Sequence, residues 1–257
     1  MVRSLARRFL TVMPDPEVAR EVVADLDKVD VYTTRSVGNA PDKVGLYAWY
    51  SIPNIGKPDW EEDLEDERDL GAERFTSLLD RHTSRHKKPP LNARMDGAFG
   101  QLLAGKVKDV SYPKLSEAKH NLPNESFIRS LIDTIQHSRC REEMVMLLPW
   151  CSPLLSAPIY IGVTHSLQER LRRHVSDLRG ILKDFRGRSI PDDFGKGEKK
   201  TTFAVRAARQ GFSVENLYVL TLTTESGQRL DKDTIRDISE AVEWLLNRWH
   251  KPILGRD

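Results

Sequence analysis

Two spacings of apolar residues alternate along the chain, one of about two and one of three to four, and they mark strands and helices respectively. Val44-Gly45-Leu46-Tyr47-Ala48-Trp49-Tyr50 reads as a strand, with Tyr47 and Trp49 on one face and Leu46, Ala48 and Tyr50 on the other. Pro158-Ile159-Tyr160-Ile161-Gly162-Val163 is a second strand, rich in β-branched and aromatic residues, and its Gly162 allows a close approach to the backbone. Leu217–Leu222 is a third. The second strand runs directly into a helix. Ser166 with Glu169 three residues on forms a capping box, and Leu167, Leu171, Val175 and Leu178 recur at helical spacing as its buried stripe. Arg170 and His174 lie four apart on a different face of that helix.

The remaining segments follow the same logic. A helix is predicted from Asp15 or Pro16 to about Lys28, with Val18, Val22, Val23 and Leu26 apolar, and Val29–Val37 is short and strand-like. Roughly a hundred residues separate the first two main strands. A structureless connection of that length is improbable in a compact protein, so residues 59–154 are expected to fold as a mostly helical subdomain. Within it, helices are predicted over Ala72–Thr83, Phe99–Val107 and Pro123 to about Ser138, and Glu143–Trp150 is expected as a strand or an apolar edge of the core. Further on, residues 186–200 read as a loop, Thr201–Gln210 as a helix ended by Gly211, and Asp231 to about Trp249 as a last helix stopped by Lys251-Pro252. The expected organisation is an N-terminal helical segment (1–43), a core of 44–58 with 155–257, and the insertion.

Composition narrows the class. The 257 residues are 39% hydrophobic and 30% charged, which suits a globular protein. No apolar run approaches a membrane span, and neither a signal peptide nor a membrane partner is expected. Cys140 and Cys151 form no metal pattern and suggest no disulfide framework, which fits a cytoplasmic location. Net charge is only +2, so bulk charge announces no polyanion. Its distribution does: between Tyr160 and Gly211 twelve Lys and Arg face six acids. A basic segment around a phenol, a guanidinium and an imidazole suits a phosphodiester. The insertion adds a basic break, Arg85-His86-Lys87-Lys88-Pro89-Pro90, followed by Arg94. Arg85, Lys87, Lys88 and Arg94, together with Arg173, Lys199 and Lys200, are the candidate DNA contacts. The histidines of the insertion make no metal-binding spacing.

Tyr160-Ile161-Gly162, followed by Thr164, Leu167, Arg170 and His174, resembles the signature of the GIY-YIG nuclease superfamily. Gly45-Leu46-Tyr47 matches that family's first tripeptide with Leu for Ile. The resemblance covers residues 44–50 and 158–255, and the long insertion between the tripeptides is its largest departure. It implies an α+β fold whose core is a three-stranded antiparallel sheet flanked by helices. It also implies a metal-binding Glu on the last helix, followed nine residues on by a Pro and then by an Asn. Glu243 stands at that distance from Pro252, with Glu240 one turn earlier as the competing choice, and the Asn position is Gly255.

The family chemistry implied is hydrolysis of double-stranded DNA to 5′-phosphate and 3′-hydroxyl ends with Mg²⁺ or Mn²⁺ on Glu243. Tyr47 would act as or assist the general base, its phenol brought toward neutral pH by surrounding cations. Arg170 would hold a phosphate oxygen, His174 would take a proton on or fix a phosphate, and Tyr160 would bind the nucleophile or the phosphate. The compact chain favours a type II-like restriction or defence enzyme, and cutting two strands with one site per chain suggests a homodimer. A structure-specific repair nuclease is one alternative. A non-catalytic DNA-binding module, suggested by Gly255, is the other.

Overall fold

A computed structural model describes residues 29–66, 68–86, 91–97, 100–107, 115, 126–191, 194, 203–224 and 232–255. The helix predicted over 15–28 and the candidate contacts Lys87, Lys88, Lys199 and Lys200 lie outside them. The fold is α+β and divides into two compact units, 1–51 with 157–209 and 213–257, and 52–156 with 210–212.

The first unit is built on an antiparallel sheet of β1 (Val29–Thr33), β2 (Gly45–Ser51), β7 (Tyr160–Thr164) and β8 (Leu217–Thr223), in the order β1-β8-β2-β7. It thus has four strands where three were expected, because Val29–Thr33 pairs along the outer edge of β8 with Val31 opposite Leu220. β2 is central, and its register sets Tyr47 opposite Gly162 on one side and Thr221 on the other. Trp49 is fully buried on the same face as Tyr47. Against that face lie α5 (Leu167–Asp184) and α6 (Phe203–Arg209), with the Phe203 ring stacked on Trp49 at 5.3 Å. Ser166 caps α5 by accepting from Glu169 N at 3.1 Å, and Leu167, Leu171, Val175 and Leu178 are all buried. α7 (Lys232–His250) packs against β7 and β2.

The second unit contains α1 (Lys57–Trp60), the two-residue strands β3 (Leu64–Glu65) and β4 (Arg68–Asp69), α2 (Leu70–Arg85), the hairpin β5 (Leu91–Gly97) and β6 (Gly100–Val107), α3 (Ser126–Gln136) and α4 (Ser138–Leu155). Two expectations are corrected. Residues 100–107 form a strand, paired along their length with β5, rather than a helix. Glu143–Trp150 lies inside α4 rather than in a strand: the apolar run of seven residues from Met144 to Trp150 carries no period of its own, and the helix beginning at Ser138 extends through it. The core of this unit gathers Ala72, Phe75 and Ile135. Arg141 is wholly buried beside it. Its Nε donates to Trp60 O, its Nη1 to Ile135 O and its Nη2 to Asp69 Oδ2, each at 2.7 Å.

Candidate functional site

Five side chains converge on the helix-bearing face of the first unit's sheet. Tyr47 comes from β2 and Tyr160 from β7, with ring centroids 6.1 Å apart. Both are buried. Gly162 explains how the phenols reach each other. A Cβ on that residue would stand 2.5 Å from Tyr47 Oη and 3.0 Å from Tyr160 Cε1, so the Tyr47 ring crosses the strand where only glycine leaves room. Gly45 has a comparable constraint. A Cβ there would meet Leu222 O at 2.5 Å and Leu167 Cδ1 at 2.7 Å, so the glycine lets the first turn of α5 close on the sheet.

Arg170 and His174, one turn apart on α5, approach from above. Arg170 is half-buried, and its Nε donates to Tyr47 Oη at 3.2 Å. Its guanidinium also engages Tyr160. His174 is buried between Tyr47, Tyr160 and Phe203, with the Phe203 ring stacked at 4.6 Å. Its Nδ1 accepts from Trp49 Nε1 at 3.1 Å, which places the single proton of the neutral ring on Nε2. Burial first, then Arg170, Arg206 and Arg173, lowers the His174 pKa to about 3, so the ring stays neutral at physiological pH.

Tyr47 departs from expectation. Its pKa is raised, not lowered: burial is the main cause and Tyr160 the next, while Arg170 pulls the other way and the Glu243 charge adds to the rise. One guanidinium does not outweigh the loss of water around a phenol sunk into a sheet face. The phenol of the free protein is therefore protonated at neutral pH.

Glu243, half-buried on α7, is close enough to Tyr47 for its charge to act on the phenol. Glu240 is exposed and paired with Arg236 at 2.7 Å. Among the described residues no three His, Cys, Asp or Glu side chains gather as a metal-binding set. Glu243 is thus a single hard oxygen donor within electrostatic reach of the Tyr47 phenol. Such a site fits Mg²⁺, which commonly takes one or two carboxylates and fills its other positions with water and substrate phosphate oxygens.

The end of α7 shows what stands at the missing Asn. Lys251 turns the chain with φ of 44°, and Leu254 N donates to Ile159 O at 2.8 Å, tying the turn to the start of β7. A Cβ on Gly255 would lie 2.9 Å from Pro252 O and 3.4 Å from Asn247 Oδ1. The Asn247 side chain already occupies that neighbourhood and donates from Nδ2 to Glu243 O at 2.8 Å. The carbonyl of Gly255 accepts from Arg206 Nη1 at 2.8 Å, and the Arg206 guanidinium lies 5.4 Å over the Tyr160 ring.

A cavity of roughly 300 Å³ opens beside Arg170 and is lined also by His165, Glu169, Arg173, Arg236 and Glu240. Glu169 pairs with Arg173 along α5, as Glu240 does with Arg236 along α7, so each carboxylate is answered by a guanidinium and Arg170 adds a third. Of the other candidate DNA contacts, Arg85 ends α2 in the second unit, where burial lowers its pKa, and Arg94 lies on β5. Arg206, Arg236 and Trp49 were not singled out in the sequence for a place at the site. Only the fold distinguishes them from the chain's other arginines and tryptophans. No protein-family model matches the chain, and neither curated proteins nor solved structures provide a match.

Proposed function

We propose that the chain is a metal-dependent DNA endonuclease built on a GIY-YIG core, acting as a type II-like restriction or defence enzyme that leaves 5′-phosphate and 3′-hydroxyl ends. One observation carries this reading. Tyr47 meets Tyr160, Arg170 and His174, more than a hundred residues further along the chain, beside a basic cavity with the Glu243 charge in reach of Tyr47.

Phosphodiester hydrolysis requires a positioned water, neutralised phosphoryl oxygens and relief of charge on the leaving oxygen. Arg170 neutralises a non-bridging oxygen with its fork while Nε holds Tyr47 in place. A Mg²⁺ or Mn²⁺ ion on Glu243 would supply Lewis acidity toward the phosphate and positive charge beside the phenol. Tyr47 orients the attacking water and accepts its proton when ionised, and the Glu243 contribution that now disfavours ionisation disappears once that carboxylate is neutralised. His174, neutral with its proton on Nε2, serves as a hydrogen-bond donor and not as a proton acceptor. Tyr160 is braced by the Arg206 guanidinium over its ring and hydrogen-bonds the phosphate. Arg173 and Arg236, held on their carboxylates, present further cations to the phosphates flanking the scissile one.

The test is incubation of supercoiled plasmid of mixed sequence with the protein in Mg²⁺ and in EDTA, followed by sequencing of the ends. Nicked and linear products in Mg²⁺ alone, with 5′-phosphate ends, are the expected result. Binding without any cleavage, unchanged in Glu243→Ala, would instead make the chain a DNA-binding module.

A further inference from the structure

The last helix carries a feature that the hydrolytic reading does not use. Ile238 is 49% exposed, Val242 37%, Leu245 38% and Trp249 70%. They follow one another at intervals of four, three and four residues, the spacing of a two-helix seam. The face of α7 turned to the protein is a different one, marked by the buried Ile235 and Ser239. At 100° per residue the exposed stripe lies on one flank of that buried face, and Arg236, Glu240 and Glu243 lie on the other. Trp244, on the outer side, is also exposed and sits under the Arg248 guanidinium at 4.8 Å. Large apolar side chains arrayed this way on one element mark an interaction surface.

Charge along the helix identifies the occupant. The outer edge of the stripe is acidic at its N-terminal end, at Asp237, and basic at its C-terminal end, at Arg248, with His250 and Lys251 beyond it. Two copies of α7 laid parallel would set like charge on like. Laid antiparallel about a two-fold axis near Glu243 and Trp244, Ile238 meets Trp249 of the partner and Val242 meets Leu245. The same arrangement sets each Asp237 near the opposing Arg248. The surface is complementary to itself, as a two-fold contact requires.

We propose that the chain forms an antiparallel two-fold homodimer through this stripe of α7. The seam from Ile238 to Trp249 is about 17 Å long, which is short for a coiled coil, so the dimer exchanges with monomer in the micromolar range. The cavity stays open in the dimer because it lies across the opposite flank of the helix. If the endonuclease reading holds, the two-fold axis also relates two hydrolytic sites, one for each strand of the duplex.

Light scattering coupled to gel filtration tests the proposal without reference to cleavage, so failure of the hydrolytic reading leaves it untouched. The expected mass rises with concentration toward twice the 29.4 kDa chain. Leu245→Glu should give monomer at every concentration, with circular dichroism and melting unchanged. Asp237→Arg alone should weaken the dimer, Arg248→Asp alone should do the same, and the two together should restore it. A wild-type monomer at concentrations on the order of 100 μM overturns the proposal. So does a dimer that Leu245→Glu leaves intact, or a charge-swapped double variant no better than either single one. A monomer whose Trp244 and Trp249 resist acrylamide quenching would mean that the chain covers the stripe itself, and it overturns the proposal as well.

Discussion

Arg141 in the second unit and Arg170 in the first are both drawn out of water, and they are used differently. Arg141 has no exposed surface, and its three nitrogens donate to two carbonyls and the Asp69 carboxylate, each at 2.7 Å. Full burial closes it to any ligand, and its role is to tie α4 to the start of α2 and to α1. Arg170 is only half-buried, leans on two phenols and lines a cavity. Phenols are weak partners for a guanidinium, and a carboxylate or phosphate outcompetes them. An arginine satisfied by carbonyls and an acid holds a fold, whereas one propped on phenols beside a cavity awaits an anion.

Replacement of the two arginines should separate these roles. Arg170→Lys should lower single-turnover cleavage about a thousandfold, since the planar fork is lost, while the melting temperature stays within a degree or two. A variant that cleaves normally would put Arg170 with Arg141 as a structural residue. Arg141→Met should instead destabilise by about 2–4 kcal/mol, because the half-buried Asp69 loses its cation and the carbonyls of Trp60 and Ile135 lose their donors. Chemical denaturation reads that loss, and the fraction that folds should cleave at the wild-type rate.

Between these extremes lies Gly162→Ala. The added methyl collides with the Tyr47 hydroxyl, a rigid end of a buried ring, and should cost about 1–3 kcal/mol of stability. Displacement of Tyr47 should also reduce cleavage about a hundredfold. Equal stability and activity to wild type would show that the phenol is not held where its contacts place it.

Protonation sharpens the contrast further. Because the Tyr47 pKa is raised, the ionised fraction of the phenol grows with pH throughout the neutral range. The single-turnover rate should therefore climb about tenfold per unit from roughly pH 6 to 9. His174 gives no acid limb in that window. Stability behaves in the opposite sense to a histidine held charged in an ion pair. His174 titrates near 3 when folded and near its ordinary value of 6.5 when unfolded, so its neutral burial contributes fully above about 6.5 and is lost as pH falls toward 3. His82 in the second unit, lowered by burial to about 4, adds a loss of the same sign. Melting temperature should fall across that interval, and His174→Gln should flatten the fall. An unaltered slope would mean that His174 is protonated in the folded state.

The smallest effects belong to the cavity rim. Arg173→Gln and Arg236→Gln should each reduce the salt dependence of DNA binding by about one phosphate contact, with little change in the rate of the bound complex. A large rate loss would move either one from binding to chemistry.

Much of the first unit could be read from the sequence because its signals are periodic. The α5 stripe and cap, the strand around Tyr47 and the extent of α7 all follow from spacing. The convergence of Tyr47 with Tyr160 and Arg170 was expected only through a family resemblance. Its physical cause, a glycine admitting the phenol across the neighbouring strand, belongs to a contact between distant segments. Burial was the least legible quantity. The sequence lists the cations around Tyr47 but not the depth of the phenol, so the expected direction of its shift was reversed. The second unit resisted for a different reason. The residues of β6 carry a helix-like composition, and pairing with β5 overrides it. Asn247 beside Gly255 is intermediate: its place one helical turn from the Lys-Pro pair was visible, but its approach to the missing side chain depends on the turn at Lys251.

In the proposed enzyme Glu243, Tyr47 and Arg170 act as one hydrolytic site on the first unit. Plasmid cleavage by Glu243→Gln, measured beside wild type in Mg²⁺ with melting and DNA binding checked on the same samples, tests it most directly. The wild type should cleave, and the variant should lose about a thousandfold or more in rate with folding and binding unchanged. Cleavage by Glu243→Gln at the wild-type rate would contradict it.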